Sequence, residues 1–148
     1  MKRTLCSSAF GTLILDDELF EPPIYSAAKE IAGHGTVCIT LVAPVERSPD
    51  WSHLLSAAEE TYRLIVENEV SIRTQAAPAL LELHRSGYGD EWRNEAEKLA
   101  EPMRLKQLTF FSNGSFELWY DGGAVFHYRD VRLALDPEFC LTEASLGQ

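Results

Sequence analysis

The histidines are the first residues to consider for chemistry, because an imidazole can act as an acid, a base or a metal ligand near neutral pH. The 148-residue chain has four: His34, His53, His84 and His127. No two are four positions apart, the step that brings two ligands onto one face of a helix. The sequence therefore predicts no metal site and no cofactor.

His127 is the histidine whose surroundings best fit acid/base catalysis, with Glu117 and Asp130 as candidate partners. The strand pairing predicted below places His127 and Glu117 on opposite faces of a sheet, which argues against direct proton transfer between them. We therefore expect His127 to be a partly buried sheet residue and predict no catalytic residue. An enzyme that uses His127 with nearby carboxylates is the alternative.

The three cysteines, Cys6, Cys38 and Cys140, are odd in number and far apart. They lack the spacing of a zinc site and the even count of a secreted disulfide framework. This favours small buried thiols in a reducing compartment. The first residues also lack the cleavage site of a signal peptide, so we expect a cytoplasmic protein.

The excess of acidic residues limits the kinds of partner that the chain can bind. The chain has 13 basic and 23 acidic residues, a net charge of −10, and residues 50–101 hold eleven of the acidic ones against five basic. There is no basic cluster to contact phosphates and no apolar run near the ~18 residues of a membrane span. The sequence therefore argues against nucleic acid and membrane. The acidic excess either attracts a basic protein as partner or only keeps the protein soluble.

The elements that position these residues follow from apolar periodicity. Residues 11–15 and 36–42 are typical of strands, whereas 20–32 and 90–103 remain open. Asp50 is a candidate N-cap for a helical middle, and Pro78 either kinks this stretch or lies in a first helical turn. The helix carries an apolar stripe with Glu59, Glu60, Glu67 and Glu69 mostly between its members, so we expect these four carboxylates to form an acidic, solvent-exposed binding face. Its apolar side is expected to pack on the C-terminal strands. The helix residues of this core are Trp51, Tyr62, Ile65, Leu80 and Leu83, and the strand residues are Phe111, Phe116 and Leu118.

Asn113-Gly114 predicts a hairpin between 105–111 and 116–120. A two-residue turn pairs Phe111 with Phe116, and a second turn at Gly122-Gly123 pairs Trp119 with Phe126 in a strand over 125–135. A three-residue first loop would shift this register. The apolar parity changes within 125–135, which favours a bulge near Arg129-Asp130, and 139–141 is a candidate edge strand.

Both faces of this meander are rich in large apolar groups. Either both are covered, or Trp119, Phe126 and Tyr128 form an exposed aromatic patch for a partner. The Trp119–Phe126 row is also the candidate contact of a structural homo-oligomer.

Two segments of the chain resemble a bacterial family. One is Gly114-Ser115-Phe116-Glu117-Leu118-Trp119-Tyr120-Asp121 with the following Val125-Phe126, and the other is the Gly-Thr-Leu-x-Leu-Asp strand from Gly11 to Asp16. The family is the domain of unknown function numbered two-two-six-two. The chain departs from the family pattern at Tyr128-Arg129, where the family has Gly-His, so no role of that histidine carries over. The resemblance implies an α+β domain and brings no activity.

The sequence thus predicts one α+β domain over residues 1–148. We expect N-terminal strands, an acidic helical middle and a C-terminal antiparallel three-stranded meander in one sheet. The favoured function is a small, non-enzymatic cytoplasmic binding protein, in its most specific form a toxin-neutralising immunity protein.

Overall fold

The computed structural model describes residues 3–16, 23–42, 51–89, 92 and 95–147. They form one eight-stranded sheet, one long helix and one short helix, which confirms the α+β class. The strands are β1 (Thr4–Ser7), β2 (Gly11–Asp16), β3 (Ile24–Ile31), β4 (Gly35–Val42), β5 (Arg104–Phe110), β6 (Phe116–Asp121), β7 (Asp130–Leu135) and β8 (Leu141–Leu146). The helices are α1 (Trp51–Tyr88) and α2 (Ala96–Ala100).

The strands lie in the sheet in chain order, and β4 pairs with β5 in parallel while the other neighbours pair antiparallel. A parallel pair needs a crossover connection, which the segment containing α1 and α2 supplies. The sheet therefore consists of two meanders joined through this segment. The C-terminal meander has four strands rather than three, because 141–146 adds β8 as an edge strand.

Helix α1 runs for 38 residues and includes Pro78. The predicted apolar stripe therefore continues past this proline within one helix. Pro78 lies on the exposed side of the helix. A proline has no N–H, so the carbonyl four residues earlier lacks its helical donor, and on this side water can hydrogen-bond to it. Asp50, the predicted N-cap, lies outside the described residues. No helix in the described part of the chain is both long and apolar enough to cross a membrane.

The core lies between α1 and one face of the sheet. Its members include Ile65, Ile72, Ala76 and Leu80 of α1 and Leu13, Val37, Ile39, Leu41, Leu108, Phe116, Leu118 and Leu133 of the sheet. Burial of each large aliphatic side chain contributes about 1.5–3 kcal/mol. The prediction is confirmed for Ile65, Leu80, Phe116 and Leu118, and Trp51, Tyr62 and Leu83 pack on the core partly buried. It is wrong for Phe111, which is half-buried in the hairpin turn outside that core.

The first C-terminal hairpin has a longer loop than the two-residue turn. Phe110, not Phe111, pairs with Phe116, and Gly114 donates its N–H to the Phe111 carbonyl at 3.1 Å. Gly114 has φ +90°, a left-handed conformation that glycine adopts without strain. The three-residue loop shifts the register by one, so Leu118 rather than Trp119 lies opposite Leu108.

The second connection is an eight-residue loop rather than a tight turn. Ala124–Phe126 form a 3₁₀ turn, and β7 begins only at Asp130, where it pairs with Asp121. Trp119 therefore pairs with Arg132 instead of Phe126. The parity change in 125–135 comes from this loop and not from a bulge.

The face of the sheet that points away from the helices carries Cys38, Glu117 and Trp119, which alternate with core residues along β4 and β6. We call it the open face. Cys6, Cys38 and Cys140 are all exposed free thiols, so the expectation of buried cysteines is wrong. The reason is the period of two along a strand: Cys38 lies between the buried Val37 and Ile39.

Candidate functional site

Glu69 is a buried carboxylate in the middle of α1. It follows Ile65 by four positions and precedes Ile72 by three, so it lies on the side of the helix that faces the core. The expectation that Glu69 remains in water is therefore wrong. The apolar stripe itself held the signal, because Glu69 occupies one of its positions.

Three side chains from three elements contact the Glu69 carboxylate. Arg73 Nε lies 3.0 Å away, Tyr120 Oη of β6 donates to Oε1 at 3.1 Å, and His34 Nε2 lies 3.3 Å from Oε1. A buried carboxylate is tolerated when it is both paired and hydrogen-bonded. We call these four residues the Glu69 network.

The tautomer of His34 follows from its two neighbours. The backbone N–H of Leu105 donates to His34 Nδ1 at 2.8 Å, so Nδ1 carries the lone pair and Nε2 carries the proton that points at Glu69. The basic nitrogen is therefore used by the backbone of β5. His34 joins the β3–β4 turn to α1 and β5, and it has no lone pair left for a substrate.

Arg73 connects the network to the short helix. Its Nη1 donates to the carbonyls of Ala100, Glu101 and Met103 at 3.1, 3.5 and 3.4 Å. A positive charge near these carbonyls at the end of α2 is favourable. One arginine thereby holds the segment between α2 and β5 against α1.

Burial raises the pKa of Tyr120 well above 10, and the charge of Glu69 and the hydrogen bond to it raise this pKa further. Arg73 opposes the shift but does not cancel it. Tyr120 therefore stays a neutral hydrogen-bond donor at neutral pH.

A cleft of about 620 Å³ opens beside this network, between α1, the β3–β4 turn and residues 101–105. Charges of both signs line it, the acidic residues Glu67, Glu69 and Glu101 and the basic residues Arg73 and Arg104. Within its wall, His34, Glu69 and Arg73 are engaged with one another or with the backbone. Among the residues that the structure describes, no three His, Cys, Asp or Glu side chains are arranged to hold a metal ion.

The predicted acidic face is only partly assembled. Glu60 and Glu67 are exposed on α1, whereas Glu59 is half-buried and accepts hydrogen bonds from Ser7 Oγ at 2.6 Å and Ser8 Oγ at 3.5 Å. With Glu69 inside the core, two of the four glutamates are freely presented to solvent.

The same part of α1 also exposes apolar side chains. Five large hydrophobic residues are exposed in the described part of the chain, and three lie within 64–70: Leu64, Val66 and Val70. Val66 is 47% exposed and Val70 is 67% exposed, one helical turn apart. Leu64 points to the other flank of the helix, since two residues turn a helix by about 200°.

The structure does not bring Trp119, Phe126 and Tyr128 into one patch. Phe126 is fully buried in the 3₁₀ turn, Trp119 is half-buried on the open face, and Tyr128 is 77% exposed in the loop. The Trp119–Phe126 row was predicted from a two-residue turn at Gly122-Gly123. The eight-residue loop found there separates these residues, so the row does not form. A homo-oligomer through the Trp119–Phe126 row has no exposed Phe126 to use.

Trp119 takes part in a polar cluster on the open face. Its Nε1 donates to Glu117 Oε1 at 3.1 Å, Glu117 also forms an ion pair with Arg132, and Arg132 Nη1 lies 3.3 Å from Glu143. Burial alone would lower the pKa of Arg132, but the hydrogen bonds and charges of Glu117 and Glu143 raise it. The cluster is a set of satisfied ion pairs.

His127 is exposed and lies in the loop, not in a strand, so the expectation of a partly buried sheet histidine is wrong. Its ring stacks on Tyr88 with the centroids 4.1 Å apart. The carboxylates considered as its partners are engaged elsewhere: Glu117 with Arg132, and Asp130 with Lys106 Nζ at 3.0 Å.

Residues 7–146 match the model of a family described as "Uncharacterized protein conserved in bacteria (DUF2262)". The chain belongs to this family. The match to DUF2262 runs from the last residue of β1 to the last residue of β8, so it includes α1 and the Glu69 network. No curated protein and no solved structure matches the chain.

The segment that carried the resemblance to DUF2262 forms the hairpin turn and β6. Phe116, Leu118 and Tyr120 point into the core, whereas Glu117 and Trp119 point to the open face. The tyrosine of this segment is the residue that donates to Glu69. No feature of the sequence alone indicated that His34 would meet it there.

Proposed function

We propose that this DUF2262 protein is a non-enzymatic binding protein whose partner docks on the outer surface of α1 around Val66 and Val70. The exposure of these two valines carries the proposal. Contiguous apolar side chains that are exposed on a soluble domain commonly mark an interaction site. The patch has acidic neighbours in Glu60 and Glu67.

The charge around the patch favours a basic partner. A groove of about 680 Å³ lies between α1 and the turn at Ser8-Ala9, and its charged residues are Glu59, Glu60, Glu67 and one arginine, Arg63. The whole chain has a net charge of −10. Opposite potentials accelerate encounter with a basic protein and reject acidic ones.

The Glu69 network supports a binding role rather than catalysis. Its histidine, carboxylate and tyrosine are bonded to one another and to the backbone of β5, so none is free to move a proton in the adjacent cleft. An enzyme that uses His127 has less support, since His127 stacks on Tyr88 and both candidate carboxylates pair with cations.

In its most specific form the proposal is a cytoplasmic immunity protein that neutralises a basic toxin. Three exposed free thiols support a reducing compartment, because such thiols oxidise readily elsewhere. The small size and the acidic excess of the chain suit the blocking of a basic enzyme. In that form, co-expression of the protein is expected to rescue the growth of cells that produce the captured partner.

A photo-crosslinking residue in place of Val70 tests the docking surface in the source bacterium. We expect it to capture a basic protein that mass spectrometry identifies. The same residue in place of Ser86, which is exposed near the C-terminal end of α1, serves as the control and should not capture it. Equal capture at both positions would argue against this surface.

The association rate of the captured partner then tests the charge. Glu60→Lys with Glu67→Lys should lower the on-rate at least tenfold at low salt, and less near 150 mM salt, where screening acts over about 8 Å. Glu82→Lys with Glu95→Lys changes the net charge equally at exposed positions away from the patch. If both double variants slow association equally, the acidic residues act only through net charge.

A further inference from the structure

β8 leaves one edge of the sheet open. It pairs with β7, and no strand among the described residues pairs with its other edge. An unpaired edge presents a row of N–H and C=O groups that can accept another strand. The other outer strand, β1, has four residues, whereas β8 has six.

β8 carries little of the protection that edge strands usually have. It has no proline and one charged residue, Glu143, whose carboxylate pairs with Arg132 over the open face. The register shift near Thr142 is its one irregularity, and Thr142 Oγ1 donates to the Ala134 carbonyl there. The stretch from Glu143 to Leu146 is regular.

A groove of about 430 Å³ lies between α1 and the turn that leads into β8. Leu64, Ile72 and Phe139 give it an apolar lining, and its other lining residues are Asn68, Ser71 and Gln75. None of these is charged, in a chain of net charge −10. Amide side chains both donate and accept hydrogen bonds, as peptide groups do.

The groove lies on the helix side of β8. Phe139 is two residues before the strand, and Leu141, Ala144 and Leu146 pack partly buried against the core that α1 covers. In a strand added to β8, alternate side chains would point to this same side.

The turn at the end of the groove is held in place. Asp136 Oδ1 accepts the N–H groups of Glu138 and Cys140 at 3.0 and 2.9 Å. Phe139 has φ +65°, a conformation that an aromatic residue rarely adopts, and its ring packs on Phe116 with the centroids 4.8 Å apart. The ring therefore lines a groove that exists before any partner arrives.

We propose that β8 and this groove bind an extended, uncharged segment of a partner protein, which adds as a ninth strand and places alternate apolar side chains against Leu64, Ile72 and Phe139. Main-chain hydrogen bonds supply the affinity and the groove selects the side chains. The absence of charge in the groove favours an uncharged segment over a basic one. This surface is on the opposite flank of α1 from Val66 and Val70, so it is independent of the proposed docking patch.

A phage-displayed library of random nine-residue peptides is the probe. We expect enrichment of peptides with apolar residues at alternate positions and no charge between them. Leu64→Glu places a charge in the groove and should weaken the enriched peptides at least tenfold. Val66→Glu is the matched control, an exposed apolar position on the other flank, and should leave their affinity unchanged.

Strand pairing itself is tested with the best peptide. Methylation of alternate backbone nitrogens on its paired edge should abolish binding, and binding of the unmethylated peptide should slow amide exchange in Leu141–Leu146. The absence of enriched peptides, equal loss with both glutamate variants, or full binding by the methylated peptide would each overturn the proposal. So would a stable dimer of the protein alone that protects the β8 amides, because a second copy would then occupy the edge.

Discussion

At the level of single residues, the Glu69 carboxylate connects three parts of the fold, since it joins α1 to β6 and to the β3–β4 turn. We expect Glu69→Gln to lower the free energy of unfolding by about 3–5 kcal/mol, because Arg73 loses its buried counter-ion. Urea denaturation measures the change.

Glu67→Gln is the control for that variant, because Glu67 is exposed two positions earlier on the same helix. Its effect should be within about 0.5 kcal/mol. Similar losses for the two variants would contradict a special role of the network.

Tyr120 makes a prediction about alkaline pH. Its pKa in the folded protein is raised well above the ordinary value of 10.0, chiefly by burial, so the unfolded chain releases this proton at lower pH than the folded one. The contribution of Tyr120 to the free energy of unfolding should therefore be fully present below pH 10. Above pH 10 the free energy of unfolding should fall by up to about 1.4 kcal/mol per pH unit because of this residue.

Tyr120→Phe should remove that part of the pH dependence while lowering stability at pH 7 through the lost hydrogen bond. Burial also raises the pKa of Tyr62, so a smaller slope should remain. Unfolding at several pH values from 8 to 11 measures both effects, with Tyr128→Phe in the exposed loop as control. An unchanged slope in Tyr120→Phe would contradict the assignment.

At the level of elements, the loop 122–129 decides which residues reach solvent. It holds His127 at φ 55° and Tyr128 at φ 62°, although neither is glycine. A left-handed conformation costs a residue with a Cβ about 1–2 kcal/mol. Glycine, which has no Cβ, adopts this conformation without that cost.

We therefore expect Tyr128→Gly to raise the free energy of unfolding by about 1 kcal/mol, offset in part by the greater freedom of glycine in the unfolded chain. The side chain is 77% exposed, so its loss costs little packing. Tyr128→Ala removes the ring but keeps the Cβ, and should not stabilise. Equal thermal shifts for the two variants would mean that the ring, not the backbone, is responsible.

At the level of the whole molecule, both helices lie on one side of the sheet, and Cys38 lies on the other. Ellman's reagent should therefore titrate three thiols in the folded protein without denaturant. Variants that keep one cysteine each assign the rates, with Cys6 on β1 and Cys140 in a turn as references for exposed thiols. A Cys38 that reacts only after unfolding would mean that a further layer or a second copy covers the open face.

The sequence by itself determined several of the elements and their broad order, but it left β3, within residues 20–32, open and did not identify β1. Alternation and β-branched residues located β2 and β4, the apolar steps of three and four located α1, and Asn113-Gly114 located the turn between β5 and β6. These signals depend on neighbours within one turn or one strand, so they can be read locally. The α+β class and the single sheet followed from them.

Only the tertiary structure decided the register and the contacts. One extra residue in the first loop placed Leu118 rather than Trp119 opposite Leu108, and the 122–129 loop buried Phe126 instead of exposing it. The Glu69 network joins Glu69 and Arg73, neighbours on α1, to His34 and Tyr120, which are far from them in the chain. Local periodicity determines which side of an element is apolar, whereas the partner of a buried carboxylate depends on how the helix crosses the sheet, and that is fixed only when all the elements pack together.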